Sequence, residues 1–342
     1  MPLLRRDAYL LSLRTGRWRW YWALVGTVLV GVGYVTALSG LAKLTGLMQS
    51  TAATGDKTDN VTSAAGTDED LRLLVPGDLD TYVILIAAFL PLTLVSIGVY
   101  RIWHGRRWGD WPFRRGRAGA LKDFSRSAIA FLVVVSGGYA MAALLHPDRF
   151  AVVDRTAAHI PWLVLGCLVI FVQAFAEEVA FKGYLYRVWG AVFPYRWPLV
   201  IALSLAFTAL HWDNTDFARD RGMAIVQFMV GSAISYWLYM RTRSLAAPTG
   251  LHWANNVFAM LILASAPGEF GVSAYATYTD PVLAAGRSNL TDLEAWTALI
   301  LGNATFLALV GLRASPLYVP PYESVDASEP PPPSSQDRPA TA

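Results

Sequence analysis

The chain has 342 residues, of which 54% are hydrophobic and only 15% are charged, and its mean hydropathy is positive. This composition is too apolar for a soluble domain of such length, so we expect an integral membrane protein. The net charge of +3 is small and indicates no nucleic-acid partner. The single cysteine, Cys167, excludes an intramolecular disulfide.

The N-terminal segment predicts a first membrane helix that is retained in the protein. Five arginines precede an apolar run from about residue 20 to residue 41. Because the apolar core of a signal peptide is shorter, we interpret this run as a span. The acidic stretch 49–80 that follows is interpreted as a solvated loop, with a calcium or partner site as the alternative.

Seven further apolar runs predict further spans, at about residues 81–103, 127–145, 160–181, 197–212, 223–240, 247–266 and 293–312. A helix needs about 20 residues to cross the hydrocarbon core, so the shorter runs are expected to pack among neighbours or to begin in the headgroups. The predicted fold is therefore all-α, a polytopic transmembrane helical bundle with about eight spans.

Lysine and arginine set the predicted orientation. Of the 28 basic residues, 20 lie in segments on the same side as the N-terminus and seven lie in the opposite segments. Such an excess marks the cytoplasmic side, so we expect a multi-pass protein of the cell membrane with both termini in the cytoplasm. A composition rich in Ala, Arg and Gly favours a prokaryotic origin.

We divide the chain into four regions. Residues 1–119 form an N-terminal transmembrane region with two or so helices and the acidic loop, and residues 120–266 form the core. Residues 267–315 hold the last loop and the last helix. The remaining residues, 316–342, are rich in Pro and Ser and are predicted to be a disordered cytoplasmic tail, with a short proline-motif ligand as the alternative.

Two adjacent glutamates, Glu177 and Glu178, lie near the end of the apolar run 160–181. A charge at bilayer depth costs roughly 2.5 to 3.5 kcal/mol, so intramembrane carboxylates indicate function. Lys182 follows Glu178 by four residues, at the spacing and in the order that favour an ion pair on a helix. Glu178 is thus expected to be neutralised, and Glu177 is expected to face a cavity.

Two of the five histidines lie inside apolar runs. His211 follows Phe207 by one helical turn, and His252 precedes Asn256 by one turn. Counted from the nearest basic residue at 1.5 Å per residue, Glu177, His211 and His252 lie about 15, 22 and 14 Å from the cytoplasmic interface. Helix tilts of about 20 degrees are enough to bring these three depths to the same level. These three side chains are therefore predicted to share one layer of the bundle.

These motifs resemble those of the CPBP intramembrane protease family. The resemblance is carried, in order along the chain, by Glu177-Glu178-x-x-x-Lys182, Phe207-x-x-x-His211 and His252-x-x-x-Asn256, and it covers about residues 120–265. The family includes CAAX prenyl endopeptidases of the Rce1 type and bacterial proteins of the Abi type, linked to bacteriocin processing or immunity. Its first motif usually ends in Arg, whereas Lys182 stands here, a compact charge without a bidentate fork.

The resemblance implies an intramembrane endopeptidase of the glutamic type acting on a membrane-associated peptide or protein. Glu177 would activate water, His211 would help to hold and polarise that water, and His252 and Asn256 would donate to the oxyanion. Glu178, Lys182 and Phe207 would support this site. No cofactor is implied. The lipid bilayer and a prenylated or leader-bearing substrate are the expected partners.

The same residues are also compatible with other functions. One carboxylate and two histidines also form a ligand set for catalytic zinc, although the chain has no His-Glu-x-x-His motif. A serine protease is disfavoured because Ser136 lacks the Gly-x-Ser-x-Gly context. A membrane binding or immunity protein without catalysis is a second class, and a transporter with a proton relay through Glu177 is a third.

Overall fold

The computed structural model describes residues 7–14, 17–52, 79–106, 116–153, 157–212, 215–266 and 274–321. Most of the predicted acidic loop and most of the predicted disordered tail lie outside these residues. The α-helices are α1 (Ala8–Ser12), α2 (Trp20–Ala52), α3 (Leu79–Gly98), α4 (Gly116–Leu145), α5 (Ile160–Glu178), α6 (Tyr186–Val192), α7 (Arg196–Leu210), α8 (Thr215–Thr242), α9 (Ala246–Val257), α10 (Pro281–Ala284) and α11 (Leu293–Gly311). Three π-helical turns continue α3, α5 and α9, and we call them π1 (Val99–Trp103), π2 (Val179–Leu185) and π3 (Phe258–Ile262).

The prediction of an all-α polytopic bundle is confirmed. Within the described part of the chain, six helices are long and apolar enough to cross a membrane. The runs expected at 197–212 and 247–266 form shorter helices, since α7 has 15 residues and α9 has 12 before π3 begins. Helix α9 packs inside the bundle, whereas α7 packs against α8 and α6 on one side and exposes Ile201, Leu205 and Leu210 on the other.

Helix α9 lies in the middle of the bundle and packs against α4, α5 and α8. The backbones of α9 and α4 lie so close together that a Cβ atom at Gly250 would overlap the carbonyl group of Phe124. Small residues let helix backbones approach closely in membranes, where packing rather than the hydrophobic effect drives association. Gly250 thereby sets the position of α9, which carries His252 and Asn256.

A small sheet, which the sequence did not predict, lies beside the ends of α4 and π3. Strand β3 (Ala276–Thr279) pairs antiparallel with β1 (Phe150–Val152) and parallel with β2 (Leu263–Ala266). Phe150 and Tyr278 are register partners, and their rings lie 5.0 Å apart. Tyr139 of α4 contacts both rings, at 6.5 and 5.6 Å. Strands of three or four residues are too short to give an alternating pattern in the sequence.

The start of α8 is broken at Asp220, whose φ and ψ of −148° and 77° are not helical. Its carboxylate accepts hydrogen bonds from the Met223 backbone N–H at 3.2 Å, from Ser288 Oγ at 2.7 Å and from the Asn289 backbone N–H at 2.6 Å. Asp220 therefore caps the long part of α8 and ties it to the segment between α10 and α11.

The N-terminal helix α1 packs against α6 and the α6–α7 turn. Asp7 caps it by accepting from the Tyr9 and Leu10 backbone N–H groups at 2.8 and 3.1 Å, and it also pairs with Arg196 at 2.7 Å. Leu10 is fully buried in contact with Gly190. This short helix was not predicted, because five residues are too few to show a helical period.

The first residues of the predicted disordered tail are ordered. The Val319 backbone N–H donates to Val310 O at 2.9 Å, and Val319 O accepts from Arg241 Nε at 2.8 Å. The Val319 side chain is buried in the core beside α11. The prediction of disorder was wrong for residues 316–321. The buried Val319 side chain and the two hydrogen bonds of its backbone hold this segment in place. Residues 322–342 lie outside the described residues.

Candidate active site

Three α-helices, α5 with its continuation π2, α7 and α9, bring polar side chains to one place inside the bundle. Glu177 and Glu178 are the last residues of α5, and Lys182 follows in π2. His211 lies just past the end of α7, and His252 lies in α9. Turns of π-helix are rare and occur frequently at functional sites. Here π2 begins at the residue after Glu178, and π3 begins two residues after Asn256.

Glu178 is buried and neutralised. Its Oε2 lies 2.8 Å from Lys182 Nζ, so the ion pair expected from the sequence spacing is present. Both of its oxygens lie 3.4 Å from Ser235 Oγ of α8. The Lys182 ammonium also lies over the ring of Tyr236, at 4.5 Å from the centroid. A buried charge is tolerated when it is paired and hydrogen-bonded in this way.

His252 lies between the two glutamates. Its Nδ1 is 3.1 Å from Glu178 Oε1, and its Nε2 is 3.5 Å from Glu177 Oε2. We expected the two carboxylates to occupy separate environments, since adjacent helical residues point about 100° apart. They do diverge, but one imidazole reaches both, with one nitrogen for each.

Of the two carboxylate oxygens of Glu177, Oε1 has a hydrogen-bond partner among the described residues and Oε2 has none. Its Oε1 accepts from Gln173 Nε2 at 3.4 Å. Its Oε2 is buried and has no hydrogen-bond partner among the described residues, and it faces His252 and His211, whose Nε2 lies 3.9 Å away. Other buried side-chain atoms of the described residues also lack a hydrogen-bond partner, but this oxygen faces two imidazoles, which makes it the candidate for a reacting group.

The orientation of His211 is set by its own helix and by aromatic rings. Its Nδ1 lies 2.8 Å from Phe207 O, and because a carbonyl oxygen only accepts, Nδ1 carries the hydrogen. The Phe207 ring lies 4.3 Å from the imidazole, and the Phe228 ring of α8 lies 5.1 Å from it. In the neutral ring, Nε2 is then a hydrogen-bond acceptor that points toward Glu177.

Asn256 belongs to a row of three carboxamides. Its Nδ2 donates to Gln173 Oε1 at 3.3 Å, and its Oδ1 accepts from Asn255 Nδ2 at 3.0 Å. The structure thus brings together all the residues singled out by the sequence. It adds two that the sequence analysis missed, Gln173 and Ser235. Gln173 lies four residues before Glu177, a spacing that could have revealed it, whereas nothing in the sequence relates Ser235 to Glu178.

The arrangement of possible metal ligands follows from the same contacts. Among the residues that the structure describes, no group of three or more His, Cys, Asp or Glu side chains is found that could hold a metal ion. His252 has Nδ1 on Glu178, and its Nε2 faces Glu177.

A third histidine is buried elsewhere. His104 follows π1, its Nδ1 lies 2.9 Å from Arg17 O, and its Nε2 lies 3.1 Å from Tyr184 OH. Burial lowers the pKa of His104 below its usual value, so the ring stays neutral near pH 7. Both ring nitrogens of His104 thus have polar partners, which accounts for its burial without a catalytic role.

The region around the site is similar to known proteins. Residues 159–258 match the family described as type II CAAX prenyl endopeptidase Rce1-like. One curated relative, the uncharacterised protein YyaK of Bacillus subtilis (strain 168), is 22% identical over 144 residues, which are 42% of this chain and 48% of the relative. The matched region therefore spans about half the length of that relative. No solved structure matches the chain significantly.

Proposed function

We propose, from the premise that residues 159–258 form an Rce1-like core of the CPBP and CAAX protease family, that the chain is an intramembrane endopeptidase of the glutamic type. The observation that carries the proposal is Glu177 Oε2, a buried carboxylate oxygen with no hydrogen-bond partner among the described residues and with two imidazoles within 3.5 and 3.9 Å. A carboxylate beside bound water can take a proton from that water and later give it back.

The first step is the activation of water. A water molecule that donates one hydrogen to Glu177 Oε2 and the other to His211 Nε2 would use the two acceptors that lie 3.9 Å apart. Glu177 takes a proton from this water while the oxygen forms a bond to the carbonyl carbon of the substrate. The carbonyl π bond breaks, and its electron pair moves to the oxygen.

Donors from α9 would stabilise the resulting oxyanion. Asn256 Nδ2 uses one hydrogen for Gln173 and has a second hydrogen for the substrate. His252 donates from Nδ1 to Glu178, so its Nε2 can donate only when the ring is protonated. The tetrahedral intermediate then collapses as Glu177 returns the proton to the leaving nitrogen, and the C–N bond breaks.

The proposed substrate is a membrane-associated peptide or protein, including chains with a prenylated C-terminus or a leader. The proposed location is a cell membrane with both termini in the cytoplasm, which the uneven distribution of Lys and Arg supports. We propose that no metal takes part.

The function is tested by comparing peptide ends in membrane proteins from cells that express the wild type or Glu177→Ala at equal levels. A new N-terminus or C-terminus present only with the wild type supports a protease and identifies its substrate. Identical peptide ends, with both proteins inserted, would favour a membrane binding or immunity protein instead.

A further inference from the structure

Gln173 connects the two motif helices at the site. It lies one turn before Glu177 on α5, and its side chain reaches Asn256 of α9. Its Nε2 donates to Glu177 Oε1 at 3.4 Å, and its Oε1 accepts from Asn256 Nδ2 at 3.3 Å. A single carboxamide therefore contacts both the group that would activate water and the group that would bind the oxyanion.

The direction of these hydrogen bonds is determined by chemistry. An ionised carboxylate only accepts, so Gln173 must present its amide nitrogen to Glu177. Its oxygen must then face a donor, which is Asn256 Nδ2. This orients the Asn256 oxygen away from Gln173, where it accepts from Asn255 Nδ2 at 3.0 Å. The row Asn255, Asn256, Gln173, Glu177 thus has one consistent direction.

This direction has two effects on the site. Gln173 occupies Glu177 Oε1, which leaves Oε2 as the oxygen that faces His211 and His252. It also turns the amide nitrogen of Asn256, instead of the amide oxygen, toward Gln173. A side chain that lacked either the donor or the acceptor would lose one of the two effects.

We propose that Gln173 is a positioning residue, which fixes the reactive oxygen of Glu177 and the donor of Asn256 without contacting the substrate. The inference rests on the proposed hydrolytic function. Misplacement of reacting groups by about 1 Å can cost about a hundredfold in rate, so the effect of Gln173 is expected mainly on kcat and little on KM.

The test uses two substitutions of similar size at this position and one control, assayed on a substrate peptide identified by its wild-type-dependent end. Gln173→Met removes both hydrogen bonds and is expected to lower kcat about tenfold to a hundredfold. Gln173→Glu restores one donor and one acceptor only when its carboxyl is protonated. Its activity is therefore expected to approach the wild type in acid and to fall as the pH rises. Gln227→Met, at an exposed position of α8, is expected to match the wild type.

A Gln173→Met variant with the kcat of the wild type would overturn the inference. So would a Gln173→Glu variant whose pH profile has the same shape as that of the wild type. A merely structural role would lower activity without the acid rescue, because packing does not depend on this proton.

A second measurement does not depend on cleavage and separates this inference from the proposed function. The infrared carboxylate band of Glu177 is assigned by difference with Glu177→Gln and compared in the Gln173→Met and Gln227→Met proteins. We expect the band to shift in the first and to stay in place in the second, because Gln173, unlike Gln227, donates to that carboxylate. An unshifted band in both would overturn the inference even if the wild type cleaves its substrate.

Discussion

His252 Nδ1 lies 3.1 Å from Glu178 Oε1, so the carboxylate next to the proposed base holds the imidazole that faces that base. The other oxygen of Glu178 pairs with Lys182 at 2.8 Å, and Ser235 Oγ lies 3.4 Å from both oxygens. In the proposed mechanism, Glu178 positions His252 and Glu177 reacts with water.

The first prediction concerns this division. Glu178→Gln leaves only one acceptor for His252 Nδ1 and Lys182 Nζ, so the ring loses its fixed orientation or the ammonium loses its partner. We expect peptide cleavage to fall by about a hundredfold, as measured by the initial rate on an identified substrate. Glu294→Gln, at an exposed position of α11, is the control and is expected to cleave like the wild type. Full activity in Glu178→Gln would contradict the positioning role.

The second prediction concerns the stability of the buried ion pair. Lys182→Met leaves the Glu178 carboxylate buried without its cation, which is expected to cost about 3 to 5 kcal/mol in the free energy of unfolding. The double variant Glu178→Gln with Lys182→Met removes both charges and is expected to be less destabilised. Unfolding by denaturant in detergent micelles compares the two proteins. Equal stability of the single and double variants would show that the pair is not a coupled unit.

The third prediction concerns the approach of α9 to α4. Gly250→Ala is expected to lower the thermal unfolding midpoint and the activity together, because the added methyl overlaps the Phe124 carbonyl and displaces the helix that carries His252. Gly231→Ala provides a matched control in α8, since a Cβ atom there has no neighbour within 4 Å. An unchanged midpoint for Gly250→Ala would mean that the two helices do not pack as described.

The sequence predicted those parts of the site that depend on spacing within one helix. The Glu178 and Lys182 pair follows from four residues of separation, and the depth count was enough to expect Glu177, His211 and His252 in one layer. The contacts of Ser235 and Asn256 depend instead on how α8 and α9 rotate against α5. Such rotations are set by packing at positions like Gly250, and a single sequence carries no direct signal for them.

The predicted and the observed fold differ for the same reason, because the unpredicted elements depend on contacts between residues far apart in the sequence. The long helices are evident from runs of about 20 apolar residues. Helix α1 and the strand β1 are held by distant partners, Arg196 and Tyr278, rather than by a local pattern. The order of residues 316–321 depends likewise on Arg241, which is far away in the sequence.

The fourth prediction concerns metal dependence. Because the proposed mechanism activates water with the Glu177 carboxylate and His211 alone, we expect incubation with a zinc chelator, followed by its removal, to leave the cleavage rate unchanged. The measurement uses purified protein in liposomes, with a known zinc protease treated in parallel to verify chelation. Loss of activity that returns with added zinc would favour the metal-dependent alternative and would change the role of His252 from donor to ligand.

The most direct test of the account is the rate of cleavage by Glu177→Gln in liposomes, on a substrate identified by its wild-type-dependent end. The substituted amide keeps the shape and can still bond to Gln173, but it cannot take a proton from water. We predict that kcat falls by about 10²-fold to 10⁴-fold, the range for removal of a general base, while KM changes little. Cleavage at the rate of the wild type would contradict the assignment of Glu177 as the base and, with it, the proposed mechanism.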